Sequence, residues 1–244
     1  MRQITTLLTL LFIFSISGRI FSQNADEIVN KYITAVGGLE KLQAVKTLKY
    51  SGKTSVQGMD IPFTQTYKRP MMMISEITIQ GMVIKQAYDG AKGWFINPLS
   101  GKKDPDLMPK DAEKAMIKQA DFDGEMVNYK EKGNTIELIG KEDLEGSSVY
   151  NIKLTEKDSS TANYYFDADS YLLIKETDKI KFDTKEVNSE TLFSDYKPAD
   201  GVLRPYALEV KSPDNPMGSM KIIIEKVESN FPLEDRYFKM PETK

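Results

Sequence analysis

The 244-residue sequence contains no cysteine and no histidine. Without cysteine there are no disulfides, thiolate metal ligands or cysteine nucleophiles; without histidine there are no imidazole zinc sites, Ser-His triads or histidine general bases. The sequence also lacks a glycine-rich phosphate loop and a Gly-x-Ser-x-Gly motif. Because most of the common catalytic repertoire is missing, we expect a protein that is not an enzyme and that uses no metal and no cofactor.

The chain also has no excess of basic residues over acidic ones. The chain has 33 Lys and Arg against 36 Asp and Glu, a formal net charge of −3 and a pI near 5.3. Such a chain offers no basic field to a phosphate backbone, so nucleic acid is not an expected partner. With 40% hydrophobic and 28% charged residues, the composition is that of a folded domain, and 244 residues fit one all-β domain.

A long apolar run occurs at the N-terminus, over residues 4–16. Arg2 precedes the run, and small and polar residues follow it around Gly18 and Ser22, in the order of a secretory signal; the run is short for a membrane span. We therefore predict a signal peptide over residues 1–22 and a single domain over residues 23–244, with an uncleaved anchor as the alternative. Since no cysteine follows the run to carry a lipid, the exported protein is expected to be periplasmic and not lipidated.

Helical periodicity occurs at two places in the rest of the chain. Asn24 and Glu27 form a capping box before a run of apolar residues at helical spacing, which Gly37 and Gly38 end, and a second short helical turn follows. A further helix is predicted over residues 109–120, with small apolar residues on one face. Both helices are amphipathic and must lie on another surface.

Elsewhere the apolar period is two, which is typical of half-buried strands. The predicted strands lie at residues 47–57, 61–68, 71–80, 82–88, 93–96, 135–139, 149–154, 162–166, 171–182, 186–196, 202–210 and 217–228. One or two turn residues separate many of them, which favours antiparallel pairing because parallel pairing needs a long crossover. A sheet of this size with one apolar face must curl and be covered.

The predicted fold class is therefore mainly β (α+β): a single curled antiparallel sheet, or half-barrel, with an N-terminal helix and a helical insertion covering the concave face. The two helices are too short to fill a curled sheet, so we expect an apolar hollow. A two-sheet sandwich with a filled core is the alternative.

Eight of the twelve methionines fall between Met59 and Met126. Their flexible, polarizable side chains suit a cavity for variable apolar ligands, although each one also fits an ordinary core. Arg69-Pro70 ends a predicted strand beside this region. An arginine at the rim of a hollow can bond helix-end carbonyls and hold a lid closed, or meet a polar ligand head; a solvated edge charge is the alternative.

Two carboxylate pairs, Asp121/Asp123 and Asp167/Asp169, have a spacing seen in calcium loops and in acid–base pairs. Neither pair is followed by the further ligands of a calcium loop, and both lie in predicted turns. Turn capping is therefore the favoured role.

Two segments carry a family resemblance. Residues 67–70, with Arg69-Pro70, and residues 88–98, with Asp89-Gly90, Trp94-Phe95 and Asn97-Pro98, resemble the signature of the LolA/LolB-like periplasmic carriers of outer-membrane lipoproteins. The order of helix, meander, helical insertion and further strands is also that of this family. The resemblance implies a curled sheet whose apolar concave side, lidded by helices, shelters acyl chains, with Arg69 in the position of the arginine that latches the lid. The absent cysteine points to the soluble carrier branch or a paralogue.

These observations predict a non-enzymatic periplasmic carrier or chaperone for the acyl chains of lipoproteins or other lipids, served by membrane-bound donor and acceptor proteins. An envelope sensor or scaffold that acts through protein contacts is the alternative, and a hydrolase built on distant carboxylates is a third hypothesis. The lid latch is Arg69. The residues predicted to line the apolar cavity are Tyr50, Phe63, Tyr67, Met71, Met73, Ile77, Ile79, Met82, Ile84, Trp94, Phe95 and Met116.

Overall fold

A computed structural model describes residues 24–182, 185–212 and 218–242; of residues 180–182 and 185–187 only the backbone is described. The predicted signal peptide over residues 1–22 lies outside this part of the chain. Within the described ranges, no helix is long and apolar enough to cross a membrane.

The described residues form three α-helices where the periodicity predicts them. They are α1 (Ala25–Ala35), α2 (Leu39–Ala44) and α3 (Lys110–Ala120). The side chain of Asn24 accepts a hydrogen bond from the Glu27 backbone N–H at 2.8 Å, so Asn24 is the N-cap of α1 as predicted. Two short 3₁₀ helices cover Pro98–Ser100 and Asp235–Phe238.

Thirteen strands make up the rest of the described secondary structure. They are β1 (Thr47–Val56), β2 (Met59–Lys68), β3 (Met72–Ile79), β4 (Met82–Tyr88), β5 (Gly93–Ile96), β6 (Asp106–Leu107), β7 (Thr135–Leu144), β8 (Ser147–Thr155), β9 (Thr161–Asp167), β10 (Leu173–Phe182), β11 (Lys185–Ala199), β12 (Val202–Lys211) and β13 (Met220–Ser229).

All thirteen strands belong to one antiparallel sheet with the order β6-β5-β4-β3-β2-β1-β13-β12-β11-β10-β9-β8-β7. Two meanders, β1–β6 and β7–β13, are joined where β1 pairs with β13, and the sheet does not close into a barrel. The predicted single curled sheet is confirmed, and the two-sheet sandwich is wrong. The pairing of β1 with β13 is not part of the expected meander, because turn signals in a sequence link only neighbouring strands.

The curl has a local cause in irregular pairing. Register shifts interrupt β1 between Ser51 and Gly52, and comparable shifts occur in β7 and β10. Such bulges bend a strand and increase its twist. At the β1 bulge the two backbones approach so closely that a Cβ on Gly52 would lie 2.0 Å from the carbonyl oxygen of Ile223, which explains why this position is glycine.

The helices cover only part of the concave face. Ile28 and Val29 of α1 pack with Ile152 and Phe166 of β8 and β9 in one buried cluster. Leu42 of α2 and Met116 of α3 belong to a second cluster, which includes Leu48, Tyr67 and Met73 of the sheet. A third cluster lies on the opposite, convex face, where the segment after β13 packs against the sheet. The predicted placement of helices on the concave face is thus confirmed.

Candidate functional site

The pairing register shows which residues of β1–β4 share the concave face, and packing with the helices divides that face into two ends. At the end near the helices, Leu48, Tyr67, Met73 and Tyr88 are successive cross-strand partners and therefore point to the same face. All four belong to, or pack against, the cluster formed with α2 and α3. We call this helix-packed part of the concave face the covered end.

At the other end the same face continues, and none of the helices in residues 24–182, 185–212 and 218–242 packs on it. Ile224, Gly52, Phe63, Ile77 and Ile84 are successive cross-strand partners, so they form one row across β13, β1, β2, β3 and β4. Phe63 is buried and the three isoleucines are half-buried, and none of them packs against the three clusters.

This apolar surface extends along the strands on the side of that row away from the helices. Ile79 pairs with Met82 there, and Leu208 pairs with Ile222 on the other side of β1. On the side toward the covered end, the cross-strand partners Gln65, Ser75 and Gln86 are polar. We call the part of the concave face outside the helix-packed clusters the open end. It comprises one buried and nine half-buried residues: Phe63, Ile77, Ile79, Met82, Ile84, Phe95, Leu208, Val210, Ile222 and Ile224. Soluble proteins rarely leave a contiguous apolar surface of this kind without a use for it.

Six of the predicted cavity residues therefore lie at the open end: Phe63, Ile77, Ile79, Met82, Ile84 and Phe95. Five others lie at the covered end, where they pack against helices or the turn after β2: Tyr50, Tyr67, Met71, Met73 and Met116. Their contact with a ligand stays a prediction. The methionine cluster is divided in the same way, with Met82 at the open end and Met71, Met73, Met108 and Met116 in the helix–sheet core. Most of these side chains are therefore part of an ordinary apolar core.

Trp94 does not lie on the concave face. It pairs with Ala87 on the convex face and packs with Ile74 and Phe238, and its indole N–H donates to the Phe238 carbonyl oxygen at 2.8 Å. The placement of Trp94 in the cavity was therefore wrong, because neighbouring residues of a strand face opposite sides and only one of the Trp94-Phe95 pair can point inward. The segment that receives Trp94 shows no helical or strand periodicity in the sequence.

Arg69 joins three parts of the covered end. Its Nε donates to the carbonyl oxygen of Val45 at 2.7 Å and its Nη2 to that of Leu42 at 3.0 Å, at the C-terminal end of α2. The guanidinium also forms a bidentate ion pair with Asp123, with both N···O distances 2.7 Å. The arginine side chain is 25% exposed and that of Asp123 only 8%. The alternative of a solvated edge charge is wrong for Arg69.

Phe122 also packs against Arg69 and Tyr67 at this junction. Its ring lies 4.6 Å from the guanidinium carbon of Arg69 and 5.7 Å from the ring of Tyr67. The segment that follows α3 is thus tied to α2 and to the turn between β2 and β3 through one arginine. The geometry fits the helix-end contacts expected of a latch.

The two carboxylate pairs have different roles. Asp167 caps its turn as predicted, since its side chain accepts from the backbone N–H of Ser170 at 2.7 Å. Asp121 also accepts a backbone hydrogen bond within its turn and pairs with Lys132. Asp123 is the partner of Arg69, which sequence reasoning missed. No metal-binding group of carboxylates occurs among the described residues.

A second arginine, Arg204 of β12, also lies on the concave face. It is 6% exposed, and its Nη1 donates to the hydroxyl of Tyr50 at 3.0 Å. Tyr32 and Tyr50 surround it; burial raises the pKa of both, to about 12 for Tyr32, and the positive charge of Arg204 opposes that rise. Sequence reasoning missed Arg204, although it occupies an apolar-face position of the predicted strand over 202–210.

A half-buried carboxylate lies on the β9–β11 side of the concave face. Glu176 pairs across the strands with Tyr164, whose hydroxyl hydrogen-bonds to it. Burial, reinforced by the negative charge of Asp178, raises the pKa of Glu176 to about 7, and Lys118 of α3 opposes the rise. Lys118 itself forms an ion pair with Glu156 at 2.9 Å. This group of charges lies where α3 approaches the sheet.

No protein-family model matches the sequence, and no curated protein is significantly similar to it. Among solved structures, the fold is similar to that of a LolA superfamily protein from Nitrosomonas europaea, with a TM-score of 0.60, 13% identity and coverage of 89% of this chain and 98% of that chain. A DUF1329 family protein from Desulfovibrio piger gives a TM-score of 0.60, 15% identity and coverage of 88% and 96%. A domain assigned to outer-membrane lipoprotein sorting from Vibrio parahaemolyticus gives 0.55, 14% identity and coverage of 87% and 94%. The chain has a LolA-like fold.

Proposed function

We propose that this protein is a periplasmic, non-enzymatic carrier that holds the acyl chains of lipoproteins or other lipids on the open end of the concave face. The observation that carries the proposal is the row from Ile224 to Ile84, an apolar surface five strands wide on which no helix of the described part of the chain packs. The structural neighbours from Nitrosomonas and Vibrio support a carrier on this fold. Export through the predicted signal at residues 1–22 is part of the proposal.

The physical basis of binding is the transfer of hydrocarbon from water to the open end. Each buried methylene contributes about 0.8 kcal/mol, so a chain of a dozen carbons gains several kcal/mol even when only partly buried. An open surface suits reversible binding, because one side of the chain stays accessible to a membrane or to an acceptor protein. Release then needs no large opening of the sheet.

The helical cover is the part that we expect to move. Arg69 holds the end of α2 and, through Asp123, the segment after α3. If this junction opens, the acyl-binding surface extends from the open end into the covered end past Tyr67 and Met73. The carrier thus combines a permanent apolar surface with a region that is accessible only when the latch is released.

Two adjacent residues of β4 provide a direct test. Ile84 lies at the open end, whereas its neighbour Val83 is 38% exposed on the convex face. Ile84→Glu places a charge among the row of apolar side chains, and we expect uptake of N-phenyl-1-naphthylamine and of dodecanoate to fall at least about tenfold. Val83→Glu is the matched control and should bind both compounds like the wild-type protein.

The proposal predicts that organic extracts of the purified native protein contain a stoichiometric acyl lipid by mass spectrometry. Equal binding by the two glutamate variants, or no binding of either compound by the wild-type protein, would contradict it. Loss of uptake with unchanged thermal unfolding identifies a surface effect rather than misfolding.

A sensor or scaffold is the second candidate function, favoured by one feature of the sheet. Among the described strands, β7 is an edge strand of ten residues that pairs only with β8, and Ile139 beside its bulge is 50% exposed. An exposed edge can pair with a strand of another protein. This function predicts a protein partner whose binding is lost in Ile139→Lys, and no lipid in the extracts.

A further inference from the structure

Arg204 is buried without a carboxylate partner among the described residues. Its Nη1 donates to the hydroxyl of Tyr50, and its Nη2 is buried with no hydrogen-bond partner in the part of the chain that the structure describes. A buried charge is costly unless it is paired, and an unpaired N–H adds to that cost. Arg69, by comparison, has four hydrogen-bonding contacts to Val45, Leu42 and Asp123.

The position of Arg204 connects it to the proposed acyl-binding surface. Tyr206, Leu208 and Val210 follow it at alternate positions of β12, so all four side chains share the concave face. Arg204 lies at the boundary with the covered end, where Tyr50 packs, and Val210 lies at the far side of the open end. The distance along the strand from residue 204 to residue 210 is about 20 Å, which is the length scale of an extended acyl chain.

A second cation, Lys197, lies beside Arg204 on the neighbouring strand β11. Lys197 pairs across the strands with Arg204, but its ammonium group is bound to Asp195 at 2.6 Å and lies 5.0 Å from the ring centre of Tyr206. Its charge is thus already neutralised by a carboxylate. Of Arg69, Lys197 and Arg204, only Arg204 has a buried donor without a partner among the described residues.

We infer that Arg204 binds the anionic head of a single-chain amphiphile, such as the carboxylate of a fatty acid, whose chain extends along β12 over the open end. This inference rests on the proposed carrier function and adds a preference for a negatively charged head group. The Nη2 donor supplies the hydrogen bond to the head group, and Tyr50 holds the guanidinium in place. The carboxylate also supplies the charge that the buried guanidinium lacks.

The test compares three soluble amphiphiles with the same chain length: dodecanoate, dodecanol and dodecyltrimethylammonium. Their dissociation constants are measured by displacement of N-phenyl-1-naphthylamine at pH 8. We expect the wild-type protein to bind dodecanoate at least about tenfold more tightly than the cation, as one charged hydrogen bond allows. In Arg204→Met this preference disappears, while binding of dodecanol is unchanged; in Arg204→Lys a preference of reduced size remains.

Arg236 provides the matched control, because it is exposed on the last 3₁₀ helix and remote from the hollow. Arg236→Met should retain the full preference for dodecanoate. A purely structural Arg204 predicts that Arg204→Met lowers the unfolding temperature and weakens all three amphiphiles equally, which would overturn the inference. Equal affinities of the wild-type protein for all three would also overturn it, yet leave the carrier function standing; failure of all three to displace the probe would instead refute the carrier function.

Discussion

The covered and open ends of the concave face are built from the same strands but have different surroundings. On β3, Met73 is fully buried under α3 and the segment after it, whereas Ile77, four residues further on and on the same face, is half-buried. Both side chains are apolar, so hydrophobicity does not distinguish them. The difference comes from the length of the helices, which are long enough to fill one end of the curled sheet and too short to reach the other.

The largest effect should come from truncating these two residues in parallel. Met73→Ala leaves a cavity in the helix–sheet core and is expected to lower the free energy of unfolding by about 4 kcal/mol. Ile77→Ala removes a side chain that is already half in water and should cost less than half as much, while it weakens dodecanoate binding. Urea unfolding monitored by circular dichroism measures both. Equal destabilisation by the two variants would mean that the open end is packed as tightly as the covered end.

The Arg69 junction at the covered end, the proposed latch, gives the next largest effect. Arg69→Leu leaves Asp123 buried without its ion partner and frees the carbonyl oxygens at the end of α2, so we expect a loss of about 3 kcal/mol. Exchange of bound N-phenyl-1-naphthylamine should become faster, because the cover opens more often. Stopped-flow displacement measures this rate.

Asp123→Asn is the companion variant for the latch. If the ion pair holds the cover, the double variant is no more destabilised than Arg69→Leu alone, and a double-mutant cycle reports the coupling. Unchanged exchange in all three variants would show that the Arg69 junction is structural and does not gate the covered end.

A smaller effect, the dependence of stability on pH, arises from Glu176 on the β9–β11 side of the concave face. The folded-state pKa of Glu176 is about 7, above its ordinary value of 4.5, because burial disfavours the carboxylate. At pH values between about 4.5 and 7, the folded protein binds more protons than the unfolded chain, so its stability falls as the pH rises. Burial also raises the pKa of Asp178, which acts in the same direction.

Glu176→Gln should therefore flatten the dependence of unfolding free energy on pH between about 4.5 and 7 and stabilise the protein at pH 8 by about 2 kcal/mol. Asp178 leaves a residual slope. Glu145→Gln, in an exposed turn, is the control and should unfold like the wild-type protein at each pH. A Glu176→Gln curve parallel to that of the wild-type protein would contradict the assignment.

Much of this architecture was predictable, and the exceptions have physical reasons. The N-cap at Asn24, the helix over residues 109–120 and most strands follow from local periodicity, and the Arg69-Pro70 resemblance singled out an arginine that does contact the end of α2. The β1–β13 pairing and the Arg69–Asp123 pair join residues that are far apart in sequence, and no local pattern encodes them. Arg204 could have been noticed as a cation on the apolar face of a strand, but its missing partner is visible only in three dimensions.

The smallest expected effect comes from Trp94 and Phe95, neighbouring residues of β5 whose side chains lie on opposite faces of the sheet. Trp94→Phe removes the indole N–H that donates to the Phe238 carbonyl oxygen on the convex face, and we expect a loss of about 1 kcal/mol in stability with unchanged dodecanoate binding. Phe95→Ala removes a half-buried side chain from the open end and should weaken dodecanoate binding more than it affects unfolding. Calorimetric titration and thermal unfolding of both variants separate the two effects. If the Trp94 variant loses binding and the Phe95 variant does not, the acyl-binding surface lies on the convex face, since the two side chains point to opposite sides of one strand.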